Sequence, residues 1–353
     1  MKKLTSLISA LLFLAVCLTA CKSSSDVPNS NPPANSNGPS PAAPSLSDDP
    51  FADSPRVKFT FADNNASSSS VGQSLAGLCE TIYEATNGTV TVEYFGDAAL
   101  GDEVTVVGML EQGTIDLSRV NLASVQATIP ELGVLTMPYI YKDGDHCVRV
   151  LESDVGQELL AKCGEHGMVG LAFMSSPAAR GFYSTEPIRS VDSMKGKLVR
   201  VQDSDVAIRM VQALGAAATP MAYAEVYQAL QTKVIDIAEN DPNSYYLSGH
   251  YEIAKYFTYD NHQISPGLFI MSEKAWNSMS ALQQETVRSC IQDFVTNFRT
   301  DLAAQLETNK ALCEEAGCEF IEVDTTEWRE ACQSMYDSYP EYAEYLERIF
   351  AVQ

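Results

Sequence analysis

Two stretches of this chain alternate strand-like and helix-like patterning, and that alternation restricts the fold more than any other feature. Arg56-Val-Lys-Phe-Thr-Phe61 alternates as a strand does, and Val71 to Thr86 then spaces Val71, Leu75, Leu78, Ile82 and Tyr83 along one helical face. Asn87-Gly88 ends that helix. Thr89 to Phe95 reads as a strand, about Asp102 to Gln112 as a helix ended by Gly113, and Ile115-Asp-Leu117 as a short strand. A similar series recurs with a strand at Lys197–Val201, a helix at Asp205–Leu214 ended by Gly215, a helix at Ala222–Thr232 and a strand at Val234–Ala238. Such alternation builds parallel sheets through crossover helices, so the expected class is α/β with two similar lobes. Ligands of open α/β sheets sit beyond the carboxyl ends of the strands, which puts the site of a two-lobed protein in the cleft between them.

The last third is helical. Ser280-Ala-Leu-Gln283 has the form of a capping box. From there Leu282, Val287, Ile291, Phe294, Phe298, Leu302 and Leu306 keep one apolar stripe until Gly317. At 1.5 Å per residue this helix exceeds ~40 Å, long enough to cross both lobes. A coiled-coil seam would need cleaner heptads than this mixture of aromatic and aliphatic residues provides.

The N-terminus carries an export address. Met1-Lys-Lys is basic, Leu4 to Leu18 is apolar, and Leu18-Thr-Ala-Cys21 resembles the bacterial lipobox, which predicts a signal peptide over 1–20 and a lipid on Cys21. The apolar run is too short for a membrane span. Residues 21–54, rich in Ser, Pro and Asn, have almost nothing to bury and read as a disordered tether. The expected location is the extracytoplasmic face of the cell membrane.

A net charge of −23 should repel nucleic acid and anionic lipid, and neither is expected as a partner. Of nine cysteines, Cys17 lies in the leader and Cys21 is the lipid site. The other seven form no disulfide framework and no paired metal motif, so small buried thiols are expected, with no metal and no cofactor. The sequence has no HExxH, GxSxG or Walker A motif, and its four histidines are scattered, which argues against an enzyme.

Two arginines fall where a charge is costly. Arg200 interrupts the apolar strand Leu198–Val201, and Arg180 stands at the entrance to another candidate strand, Phe182–Thr185. A guanidinium fork suits a carboxylate, but the residues alone leave Arg200 equally open to an internal salt bridge with Asp203 or Asp205. Asn240 follows the strand Val234–Ala238, where either a ligand loop or a turn would use it.

These residues lie in a string that resembles the extracytoplasmic receptors of TRAP (tripartite ATP-independent periplasmic) transporters. The resemblance is carried by Gly113-Thr-Ile-Asp-Leu117, Pro130-Glu-Leu-Gly-Val134 with Met137-Pro-Tyr139, and Met194-Lys-Gly-Lys-Leu-Val-Arg-Val201. It continues through Thr219-Pro-Met221, Glu225-Val-Tyr-Gln-Ala-Leu-Gln231, Val234-Ile-Asp-Ile-Ala-Glu-Asn240 and Gly249-His-Tyr-Glu, covering about residues 56 to 345. It implies a monomeric periplasmic-binding-protein fold that closes on a small organic acid and delivers it to membrane permease subunits. A receptor feeding an ATP-driven importer or a sensor is the alternative. Lobe I would comprise 55–177 and 266–305, and lobe II 178–265 and 306–353. The signature arginine falls on Arg200, the asparagine that steadies the carboxylate on Asn240, and a second arginine on Arg180. By position Asp102 or Glu103, Asp203, Tyr223 and His262 would line the rest of the site. Arg180-Gly-Phe-Tyr-Ser, Val201-Gln and Tyr251-Glu-Ile-Ala-Lys-Tyr256 look like the uronate branch. A serine run in the first loop, Ile237 in place of Gly and Gly267 in place of Asp depart from it.

Overall fold

Alternation in residues 57–62 turns Phe59 and Phe61 inward and Lys58 to solvent, which makes this segment the first strand of a sheet with one covered face. A computed structural model describes residues 49–353; the predicted signal peptide, Cys21 and most of the tether lie outside them. The strands are β1 Val57–Ala62, β2 Val90–Phe95, β3 Leu117–Asn121, β4 Met168–Met174, β5 Arg180–Ser184, β6 Leu198–Val201, β7 Ala217–Pro220, β8 Ile237–Asn240, β9 Tyr256–Gln263, β10 Gly267–Ser272 and β11 Glu319–Glu322. They form two sheets, ordered β2-β1-β3-β10-β4 and β11-β9-β5-β8-β6-β7.

Within each sheet the predicted alternation gives parallel neighbours: β1 with β2 and β3, and β6 with β7 and β8. The sheets are nevertheless mixed, not purely parallel. β10 runs antiparallel to β3 and β4, and β5 antiparallel to β8 and β9. The cause is connection length. Residues 175–179 carry the chain from β4 in the first sheet to β5 in the second, and 264–266 carry it back from β9 to β10. So short a link starts the next strand at the edge where the previous one ended, so β5 and β10 run opposite to the strands that finish at that edge.

Two strands lie further along the chain than the sequence pattern places them. The third strand is Leu117–Asn121 rather than Ile115–Leu117, and the strand placed at Val234–Ala238 is Ile237–Asn240, with Val234 exposed in the turn before it. β7 has no counterpart in the sequence pattern, because Ala217-Ala-Thr-Pro220 has neither apolar alternation nor bulk.

The first sheet packs Phe59, Phe61, Leu117 and Phe269 against the helix Ser70–Ala85 and against Val287 and Ile291 of the long helix, Ala281–Glu315. The second sheet builds an aromatic core from Tyr183, Tyr245 and Phe257 with Val226 and Leu230. The capping box is present: Ser280 Oγ accepts from Gln283 N, and Gln283 Oε1 accepts from Ser280 N. Gln283 also donates to Pro55 O and Thr89 Oγ1, tying the start of the helix to the first sheet. Its later half meets the short helix Pro242–Leu247 of the second sheet through Asn243 Nδ2 to Leu302 O and Asn309 Nδ2 to Asn243 Oδ1, both 2.8 Å. With 35 residues it spans about 52 Å and touches both layers.

Candidate ligand-binding cleft

The carboxyl ends of β1, β3, β4, β6 and β8, and the amino ends of the reversed strands β5 and β10, face one another across a cleft of about 840 Å³ open to solvent. Strand pleat decides what points into it. In β6, Val199 and Val201 are buried in the apolar core beside the helix Asp205–Ala213, so Arg200 between them projects from the opposite face. It is only 2% exposed. In the register of β5 and β8, Gly181 lies opposite Asn240 and Phe182 opposite Glu239, which puts Arg180, Glu239 and Asn240 beside Arg200.

The two arginines are held differently. Arg180 is fully engaged by the protein: Nε donates to Glu239 Oε2, Nη1 to Asn240 Oδ1 at 2.7 Å and Nη2 to Glu239 O at 2.9 Å. Arg200 gives Nε and Nη2 to the single carbonyl of Met221, at 3.1 and 2.8 Å. Its Nη1 lies 3.9 Å from Glu239 Oε1, beyond hydrogen-bonding distance. Neither Asp203 nor Asp205 pairs with it, so the internal salt bridge considered from the sequence does not form; Asp205 instead meets Arg209 at 2.7 Å. Burial, with Arg180 adding repulsion, lowers the pKa of Arg200 although Glu239 works the other way. For Arg180 burial also opposes the charge, yet Glu239 prevails and raises it.

Beneath these groups lies His262, fully buried, with Nδ1 2.9 Å from Asp260 Oδ2 and Nε2 3.6 Å from Glu239 Oε2. Burial disfavours its charge, but Asp260 and Glu239 outweigh burial and lift it to about 9. Burial likewise works to raise Glu239, and Arg180 with His262 holds it down at about 2. Three cations, Arg180, His262 and Arg200, therefore lie around two carboxylates, Glu239 and Asp260, and Arg200 bonds neither. The next carboxylate, Asp241, spends its oxygens capping the helix Pro242–Leu247. The arrangement leaves Arg200 as the cation with room for an anion.

Of the residues expected to line the site, Arg200, Arg180, Asn240, Tyr223 and Glu103 border the main cleft. Tyr223 sets its ring 5.8 Å from the Arg200 guanidinium carbon and bonds Ser248 through its hydroxyl. Glu103 accepts from Asn121 N at 3.0 Å and Ser124 Oγ at 2.9 Å. Asp102 and Asp203 are not in the main cleft but in the space adjoining it. Asp102 is the N-cap of the helix Glu103–Glu111, accepting from Thr105 N, and Asp203 is exposed. His262 is a correction: its ring stacks under Phe182 at 4.5 Å and reaches the cleft only through Glu239. The serine run caps the helix Ser70–Ala85 through Ser69 and clasps Asp97 through Ser67. Among the described residues no group of His, Cys, Asp or Glu is arranged to hold a metal ion.

Sequence reasoning missed Arg119, Glu239, Asn64 and Gln202. Arg119 points into the cleft from β3, neutralised by Asp63 at 2.8 Å and bonded to Asn64 Oδ1 at 3.1 Å. Its strand reads Leu-Ser-Arg-Val-Asn, so the charge has polar neighbours in sequence and does not stand out as Arg200 does between Val199 and Val201. Gly267 lies against its side chain, and a Cβ there would stand 3.4 Å from Arg119 Cδ.

Residues 61–342 match the family described as bacterial extracellular solute-binding protein, family 7. A solute-binding protein of Chromohalobacter salexigens is 30% identical over 270 residues, 76% of this chain and 80% of that one. The sialic acid-binding periplasmic protein of Vibrio cholerae is 26% identical over 266 residues, 74% of this chain and 82% of its own. Among solved structures, a TRAP periplasmic solute binding protein of Xanthobacter autotrophicus with bound β-D-galacturonate superposes with a TM-score of 0.80 at 32% identity, covering 84% of this chain and all of that one. Another from Chromohalobacter salexigens with bound D-glucuronate gives 0.79 at 29% identity over the same shares.

Proposed function

This chain belongs to bacterial extracellular solute-binding protein family 7, the receptors of TRAP transporters, and from that premise we propose that its cleft captures a sugar acid with one carboxylate, of the uronate type. It is a receptor rather than an enzyme. The observation that carries the ligand reading is Arg200: a guanidinium 2% exposed, bordering the cleft, with no carboxylate in hydrogen-bonding contact. Such a charge is costly until an anion meets it. Asn240 supports the same carboxylate, its Oδ1 fixed by Arg180 so that its amide nitrogen turns to the cleft. Arg119 is already neutralised, which argues for one carboxylate rather than two. Asn64, Asn121, Gln202 and Ser175 supply the amides and hydroxyls that a polyhydroxylated ring requires, with Glu103 and Tyr223 beside them. Calorimetric titration should give saturable one-to-one binding of D-glucuronate or D-galacturonate and little heat with succinate. Stronger binding of succinate than of either uronate would refute the assignment.

We infer the same lobes as the sequence suggested, 55–177 with 266–305 and 178–265 with 306–353. Support comes from the strands, which segregate into two sheets on either side of the 177/178 and 265/266 boundaries, although Tyr342 and Arg348 near the C-terminus bond Pro130 and Glu158 of the first lobe. The receptor acts as a monomer, handing its ligand to the permease. It is tethered through a lipid on Cys21, as the lipobox-like Leu18-Thr-Ala-Cys21 supports. Cys21→Ser should shift the protein from the membrane pellet to the soluble fraction, and unchanged sedimentation would count against the anchor.

A further inference from the structure

The end of the long helix brings two thiols together. Its last residue is Glu315, Ala316 caps it, and Gly317 adopts φ 85°, the left-handed turn that a side chain would strain. Cys318 N donates to Cys313 O and Gly317 N to Glu314 O, both at 2.9 Å. These are the two hydrogen bonds of a Schellman cap, a geometry that sets the side chains at its third-last helical position and second exit position against each other. Here both positions are cysteine. Cys313 is fully buried and Cys318 is 8% exposed, within the aromatic core of the second sheet. Both thiols are free in the structure, and the Cys318 sulfur receives the Tyr245 hydroxyl at 3.3 Å.

We propose that Cys313 and Cys318 form a disulfide in the exported protein. Family 7 proteins are extracytoplasmic, where thiols that meet are oxidised rather than kept reduced. In the reaction both sulfurs lose hydrogen and an S–S bond forms. Two electrons and two protons pass to the disulfide of a thiol–disulfide oxidase, which is reduced to its dithiol. Oxidation belongs to the folding stage. Burial, with Cys318 adding to it, pushes the folded Cys313 thiol up to about 12, which leaves little thiolate to attack once the core has closed. The bond fastens the exit of the long helix to β11, the edge strand that pairs with β9. It would also protect both sulfurs from further oxidation.

The full chain, purified from the extracytoplasmic fraction, is to be alkylated with iodoacetamide under denaturing, non-reducing conditions and digested with trypsin. The peptide Ala311–Arg329 contains both cysteines and no other. It is expected two hydrogens lighter than the dithiol and unalkylated, taking up two alkyl groups only after reduction. Reductant should lower the melting temperature by a few degrees, and the Cys313→Ser/Cys318→Ser double variant should melt alike with and without it. Alkylation of both cysteines before reduction overturns the proposal, as does a link from either one to a different cysteine.

Discussion

Replacing Arg200 by alanine is expected to abolish uronate binding in calorimetry. The ligand carboxylate loses its one unneutralised cation and would be buried without a partner, a penalty of about 3–5 kcal/mol, or on the order of 10²–10⁴-fold in affinity. Arg200→Lys should fall between, because an ammonium keeps the charge but not the planar fork of donors. Folding provides the control. Arg200 bonds only one backbone carbonyl, and its charge is disfavoured by burial, so the ligand-free variant should melt close to the unmodified protein. Affinity within tenfold of the original would remove Arg200 from the site.

A second large effect is expected at Glu239, on stability. This carboxylate touches Arg180 and lies 3.6 Å from His262 and 3.9 Å from Arg200. Glu239→Gln leaves those cations with too little counter-charge in a buried place, and chemical denaturation should register a loss of about 3–5 kcal/mol. The pH dependence gives an independent sign. His262 titrates at about 9 when folded, above its ordinary 6.5. The stability it contributes is complete below pH 6.5 and is lost as pH rises through 9. Without Glu239 its pKa falls, so the alkaline decline should begin at lower pH in the variant. Identical profiles from pH 6.5 to 9 would show that Glu239 and His262 are uncoupled.

What the sequence disclosed followed from pattern. Alternation located β1 and β2, helical spacing located the helix Ser70–Ala85, and the Ser280–Gln283 signature located the start of the long helix within a residue. Pattern failed where residues were small or charged. Ala217–Pro220 gave no strand signal, and Ser118-Arg119 seemed to end β3 when it continued through them. The site was half legible for a related reason. A charge inside an apolar strand is visible in one dimension, and so Arg200 stood out. Its electrostatic setting is not: Asp203 and Asp205 are near in sequence, whereas Glu239 arrives from the adjacent strand β8. His262, which the resemblance puts in the site, lies on the buried face of β9 under Phe182, and a resemblance in sequence does not show which face a side chain takes.

The two short passages between the sheets, 175–179 and 264–266, behave mechanically as a pair of pins. Two pins define an axis, and two bodies joined only there would swing freely. The long helix is a third connection, fixed at one end by Gln283 and held at mid-span by Asn243 on its Leu302 carbonyl. A swing about the axis would load this beam, so closure on a ligand would work against an elastic element.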